Sequence, residues 1–137
     1  MKKIFIFTAC LLWSFFIIAQ PANDNCANAI QVTPLDGTCV QYTTVGSTPD
    51  LNISSCPEGV NNVWFFFDAV STTATITVSG ITRPEIALLY FDPIPCDIGS
   101  AFEHDCVDGG GFYTSITMNA TGLTVGSKRY YIVVTTN

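Results

Sequence analysis

The chain has 137 residues and carries five Lys and Arg against eleven Asp and Glu, a formal net charge of −6. So acidic a chain lacks the clustered cations that grip nucleic acid or anionic lipid. Its wealth of Val, Ile, Phe and Thr excludes a disordered polymer. Met1-Lys2-Lys3 opens the chain, and residues 4–19 follow without a charge. That run is shorter than the ~20 apolar residues of a membrane span. A basic start before a short apolar run reads as a secretory signal, cleaved after Ala19 or Gln20. Residues 1–20 are expected to leave and residues 21–137 to fold as one domain, with no membrane insertion after cleavage. The mature chain then keeps Arg83, Lys128 and Arg129 against eleven acids, a net charge of −8.

In chain order, the next segments are weak strand candidates at 29–33 and 39–45. A dense apolar run follows at 63–67. Thr73-Ala74-Thr75-Ile76-Thr77-Val78-Ser79 alternates strictly, with Ala74, Ile76 and Val78 on one face. A second apolar run covers 86–91, a short candidate lies at 102–107, and alternation returns at 114–119 with Ile116 and Met118 inward. A last strong run covers 130–134. Turn clusters such as Pro34-Leu35-Asp36-Gly37, Asp92-Pro93-Ile94-Pro95 and Asp108-Gly109-Gly110-Gly111 separate them. No mature segment carries an apolar stripe of helical period. The expectation is an all-β, antiparallel two-sheet sandwich.

Five cysteines lie beyond the leader: Cys26, Cys39, Cys56, Cys96 and Cys106. No pair has zinc spacing and only one histidine exists, so disulfides are the expected use in an oxidising compartment. Fifteen two-bridge pairings of these five are available. Cys96 and Cys106 enclose nine residues and Cys39 and Cys56 sixteen, so these two pairs are the expected bridges. Cys26 is then left unpaired.

Several strings in order carry a resemblance. Pro21-Ala22-Asn23-Asp24-Asn25-Cys26-Ala27-Asn28 follows the leader, and Asn62-Val63-Trp64-Phe65-Phe66-Phe67 comes later. Ala87-Leu88-Leu89-Tyr90 precedes Cys96 and Cys106, and Gly122-Leu123-Thr124-Val125-Gly126 leads into Tyr130-Tyr131-Ile132-Val133-Val134. The set resembles the NDxC-type jelly-roll modules of secreted and surface proteins of Gram-negative bacteria, which look related to the bacterial pre-peptidase C-terminal (PPC-like) domains. The resemblance implies an accessory role beside enzymatic or adhesive domains, often in proteins exported by the type IX route. It also implies one further strand carrying a cysteine. On that basis the chain is expected to stop before its closing strand, which would pair near 29–33 and bond Cys26. One departure is the turn Ser127-Lys128-Arg129, a residue longer than the usual pattern. Fibronectin type III is the rival sandwich, because Leu123 to Tyr130 resembles its leucine-turn-tyrosine corner.

Catalysis finds little support in the residues. His104 is the sole histidine, in an expected loop between Glu103 and Asp105, and no G-x-S-x-G string exists. Gly109-Gly110-Gly111 has no following helix, so it reads as a hairpin tip rather than a phosphate cradle. Glu103, Asp105 and Asp108 in one loop make a calcium candidate, the one cofactor considered. Trp64, Tyr90 and Tyr131, with Phe66 and Tyr113, are candidates for a flat platform that stacks on sugar, against the alternative that they fill the core. The functional expectation is a secreted or cell-surface, non-catalytic binding or accessory module of a larger extracellular protein. Its partners are expected to be a polysaccharide or surface protein and neighbouring domains of the same longer chain. A structural spacer that stabilises a neighbouring hydrolase or adhesin is the alternative.

Overall fold

The structure, a computed structural model, describes residues 19–33, 39–50, 61–111 and 113–136. The leader at 1–18 lies outside the described residues, as does Cys56. The described chain is all-β. Its strands are β1 (Ile30–Gln31), β2 (Asn61–Asp68), β3 (Thr73–Ser79), β4 (Pro84–Phe91), β5 (Ala101–Asp108), β6 (Ser115–Thr121) and β7 (Arg129–Thr136). Five form one sheet in the order β1-β2-β7-β4-β5, and β3 and β6 pair as a second sheet. All pairings are antiparallel except the short β1–β2 contact.

Sequence pattern explains the division. The second sheet is half wet, so β3 and β6 alternate apolar and polar residues, and their outward Thr77 and Thr117 hydroxyls meet at 3.0 Å. The central strands β2, β4 and β7 of the five-stranded sheet are largely buried and accordingly largely apolar, whereas the edge strand β5 carries Glu103, His104, Asp105 and Asp108. Its inner face packs Val63, Phe65, Phe67, Ile86, Leu88, Tyr130, Ile132 and Val134 against Ile116, Met118 and Ala120 of β6. Its outer face presents Trp64, Ala87, Leu89, Tyr131 and Val133 to Cys26. The corner from Leu123 to Tyr130, noted above as a likeness to the rival fibronectin type III sandwich, forms at the β6–β7 turn: the Tyr130 hydroxyl accepts the Thr124 amide at 2.8 Å, and Leu123 is buried. Of the expected strands, 39–45 differs. It forms no strand among the described residues, because no sheet edge supplies its backbone with a ladder.

The N-terminal segment covers the outer face through a set of directional bonds. Asn23, 1 % exposed, donates its side-chain amide to the Trp64 carbonyl at 3.0 Å, and its own carbonyl accepts the Trp64 amide at 2.8 Å. The Asp24 carboxylate accepts both the Thr48 amide at 2.6 Å and the Thr48 hydroxyl at 2.7 Å. Asp50 accepts the Cys26 amide at 2.7 Å. The Asn62 side chain donates to the Asp50 carbonyl and accepts the Trp64 indole N–H. The outer face of this sheet is therefore closed by hydrophobic contact and locked by polar pairs that are satisfied among the described residues.

The disulfides correct two expectations. Cys26 is bonded to Cys96, with Cα atoms 5.6 Å apart and a sequence separation of 70. Cys26 is thus neither unpaired nor waiting for a cysteine in a further strand, and that argument for a missing closing strand falls. Cys96 is unavailable to Cys106, which is itself disulfide-bonded. Cys39 is free and exposed, so the Cys39–Cys56 bridge does not form. Sequence proximity misleads here because the β4–β5 excursion turns Cys96 outward onto the N-terminal segment. Cys106 lies instead within β5, paired with Ala87.

Candidate functional site

The sequence-derived candidates disperse once the strands are laid out. Glu103, Asp105 and Asp108 do not share a loop; all three lie on β5. Extended chain places Glu103 and Asp108 roughly 17 Å apart at ~3.4 Å per residue. A register irregularity between Leu88 and Leu89 separates them further. Glu103 pairs with outward Leu89, whereas Asp105 pairs with inward Leu88. Asp105 accepts the Cys106 amide and Asp108 accepts the Gly110 amide. No cluster of three His, Cys, Asp or Glu suited to a metal ion occurs among the described residues. The calcium candidate therefore loses the convergence it needs.

The aromatic platform fails for a similar reason. Trp64 is 0 % and Tyr131 7 % exposed, and both belong to the outer-face core. Tyr90 points to the other face, where it packs against the inner core and stacks on Phe102 at 5.2 Å between ring centroids. Lys128 sits 3.7 Å over the Tyr90 ring. Residues on opposite faces of a sheet cannot form one stacking surface. His104 falls at the register irregularity of β5 rather than in a loop. Its Nε2 pairs with the Thr121 carbonyl at 2.8 Å and its ring lies edge-on to Tyr130, so it caps the end of β6. The Gly109–Gly111 turn uses its first amide on the Pro84 carbonyl and its second on Asp108, leaving no cradle.

What the structure brings together was not singled out in the sequence. The second sheet has two strands, the first has five, and the inner face over β1 and β2 has no strand above it among the described residues. A groove of about 1200 Å³ opens there. Its floor is Val63, Phe65, Ile132 and Val134, one wall is β3, and the other includes Val40, Tyr42 and Thr43. Tyr42 sits edge-on to Phe65 with ring centroids at 4.7 Å. No Asp, Glu, Lys or Arg is among the described residues that line the groove. The alternation of 73–79 and the strand-like pattern of 39–45 were the available signals. Neither revealed that the two segments would face one hollow.

Exposure along β3 marks the groove as open. Ala74, Ile76 and Val78 pair directly with Ala120, Met118 and Ile116 and share their inward face. The β6 members are buried, at 1 %, 0 % and 8 % exposed, while every inward residue of β3 is half-buried. No family model matches the chain, and no curated protein or solved structure matches it.

Proposed function

We propose that the chain is a secreted or cell-surface, non-catalytic binding or accessory module of a larger extracellular protein, with an NDxC-type, PPC-like jelly-roll fold, and that its ligand is a protein segment taken at the β3 groove. The observation that carries this reading is the half-exposed apolar groove beside a strand edge, with no charged side chain among its described lining residues. The stapled outer face and the burial of Trp64 and Tyr131 weigh against a sugar-stacking surface built on them. The Cys26–Cys96 disulfide is compatible with an oxidising, extracellular compartment. His104 is committed to a backbone carbonyl and Asp105 to a neighbouring amide, which leaves no nucleophile–base pair among them.

Parallel arrays of immobilised glycans and of short peptides test the reading. Retention on peptides of extended, alternating sequence, with no turnover of any array ligand, is the expected result. Retention on glycans alone overturns the protein-ligand reading. A flat result on both arrays favours the spacer role, in which the module orients a neighbouring domain and binds nothing.

A further inference from the structure

We propose that Cys106 forms its disulfide with Cys56, a second covalent staple on the outer face of the five-stranded sheet that leaves Cys39 as the thiol of residues 21–137. The proposal is independent of what the groove binds.

Elimination narrows the partner to two residues. Cys106 is disulfide-bonded. Cys26 and Cys96 are bonded to each other, and Cys39 is free. The remaining cysteines of the chain are Cys10 and Cys56, both outside the described residues. Cys10 lies in the apolar run expected to be cleaved, and a bond to it would keep the leader attached to the domain after cleavage. Cys56 belongs to the domain itself.

Strand register supplies the direction and the reach. Cys106 pairs with Ala87, Ala87 with Val133, and Val133 with Trp64, a single row across the sheet. Ala87, Val133 and Trp64 all belong to the outer-face core. Residues opposite one another on paired strands share a face, so Cys106 points outward, to the side that Cys26 covers. Both flanks of residues 51–60 are held on that side. The Asn62 side chain donates to the Asp50 carbonyl at 3.1 Å and accepts the Trp64 indole N–H. From Asn61 to Cys106 is three strands across and three residues along, roughly 18 Å at ~4.8 Å per strand and ~3.4 Å per residue. Cys56 precedes Asn61 by five residues, an extended reach of about 17 Å. Bridged Cα atoms stand a further ~5.5 Å apart, so the tether suffices. The bond forms when the two thiols give up two protons and two electrons to an oxidised disulfide carrier, which leaves as a dithiol. Cys26–Cys96 fixes the β4–β5 connection, and Cys56–Cys106 fixes the edge strand β5 itself.

The test is non-reducing fragment mapping by mass spectrometry of the full chain, expressed with its leader, folded in an oxidising compartment and blocked with N-ethylmaleimide at low pH. Cleavage at Asp and Glu places each cysteine beyond the leader on its own fragment, because Asp36, Asp50, Glu58 and Asp97 lie between successive ones. The Cys56 and Cys106 fragments are expected to travel as one mass that splits on reduction. The Cys26 and Cys96 fragments should form a second such mass, and the Cys39 fragment should carry the maleimide. A maleimide on Cys56 or Cys106 overturns the proposal. So does a Cys106 fragment joined to Cys10, to Cys39 or to a second copy of the chain.

Discussion

The N-terminal segment is held to the rest of the chain largely by polar residues. Asp24 is 3 % exposed and both its oxygens bond Thr48. Asp24→Ala leaves the Thr48 amide without its acceptor in a part-buried site, and should cost about 1–3 kcal/mol in a denaturant titration. An unchanged midpoint would contradict the role given to it. The string Asn23-Asp24-Asn25-Cys26 was legible only as a resemblance. Its partners Trp64, Thr48 and Cys96 lie 24 to 70 residues away, and nothing local encodes them. The exposed pair Asp68–Arg129 is a smaller matter. Hydrogen bonds from Arg129 at 3.0 and 3.2 Å hold the Asp68 carboxyl below its usual pKa, with a further Coulombic contribution and burial opposing. A depressed carboxylate pKa stabilises the fold above the unfolded value and loses that contribution as pH falls through the folded value. Asp68→Asn should therefore lower stability by under about 1 kcal/mol at neutral pH, and that loss should vanish at a pH well below the folded value. Equal loss at both pH values would rule this out.

At the scale of elements, the Cys26–Cys96 bridge fixes the N-terminal segment to the outer face of the large sheet. The chain-entropy account gives about 4 kcal/mol for a loop of this length. The double variant Cys26→Ala/Cys96→Ala should lose stability of that order. The Trp64 amide, bonded to the Asn23 carbonyl, should exchange faster than in the parent. Intact protection at Trp64 would mean the polar bonds suffice without the bridge. Strand positions were largely readable from the sequence: β3 spans 73–79 as its alternation indicates, and the dense apolar runs became β2, β4 and β7. Those strands announce themselves because each has a uniform demand on its side chains, wet on one face or dry on both. The 102–107 segment was readable as a strand but not as the holder of the acidic residues, because local charge density looks the same on a loop and on an edge strand. Segment 39–45 was misjudged because β-patterned residues become a strand only where a neighbouring edge accepts their backbone.

On the scale of the whole molecule, the account is one of unequal sheets. The outer face of the five-stranded sheet is closed, whereas the two strands of the second sheet cover only part of its inner face and leave beside β1, β2 and β7 a groove with no charged residue among its described lining. This could not be read from the sequence, because it depends on which strands pair and on how many each sheet collects. Cys39 provides the most direct test. Its thiol is free, exposed and part of the groove lining, so a bulky maleimide attached there occupies the proposed slot without altering β3. Titration of a nine-residue peptide of alternating Val and Thr with terminal lysines against labelled and unlabelled chain, with near-ultraviolet circular dichroism to show that the fold is retained, measures the effect. The account predicts binding by the unlabelled chain and loss of at least about tenfold in affinity on labelling. Undiminished binding by the labelled, folded chain would contradict it.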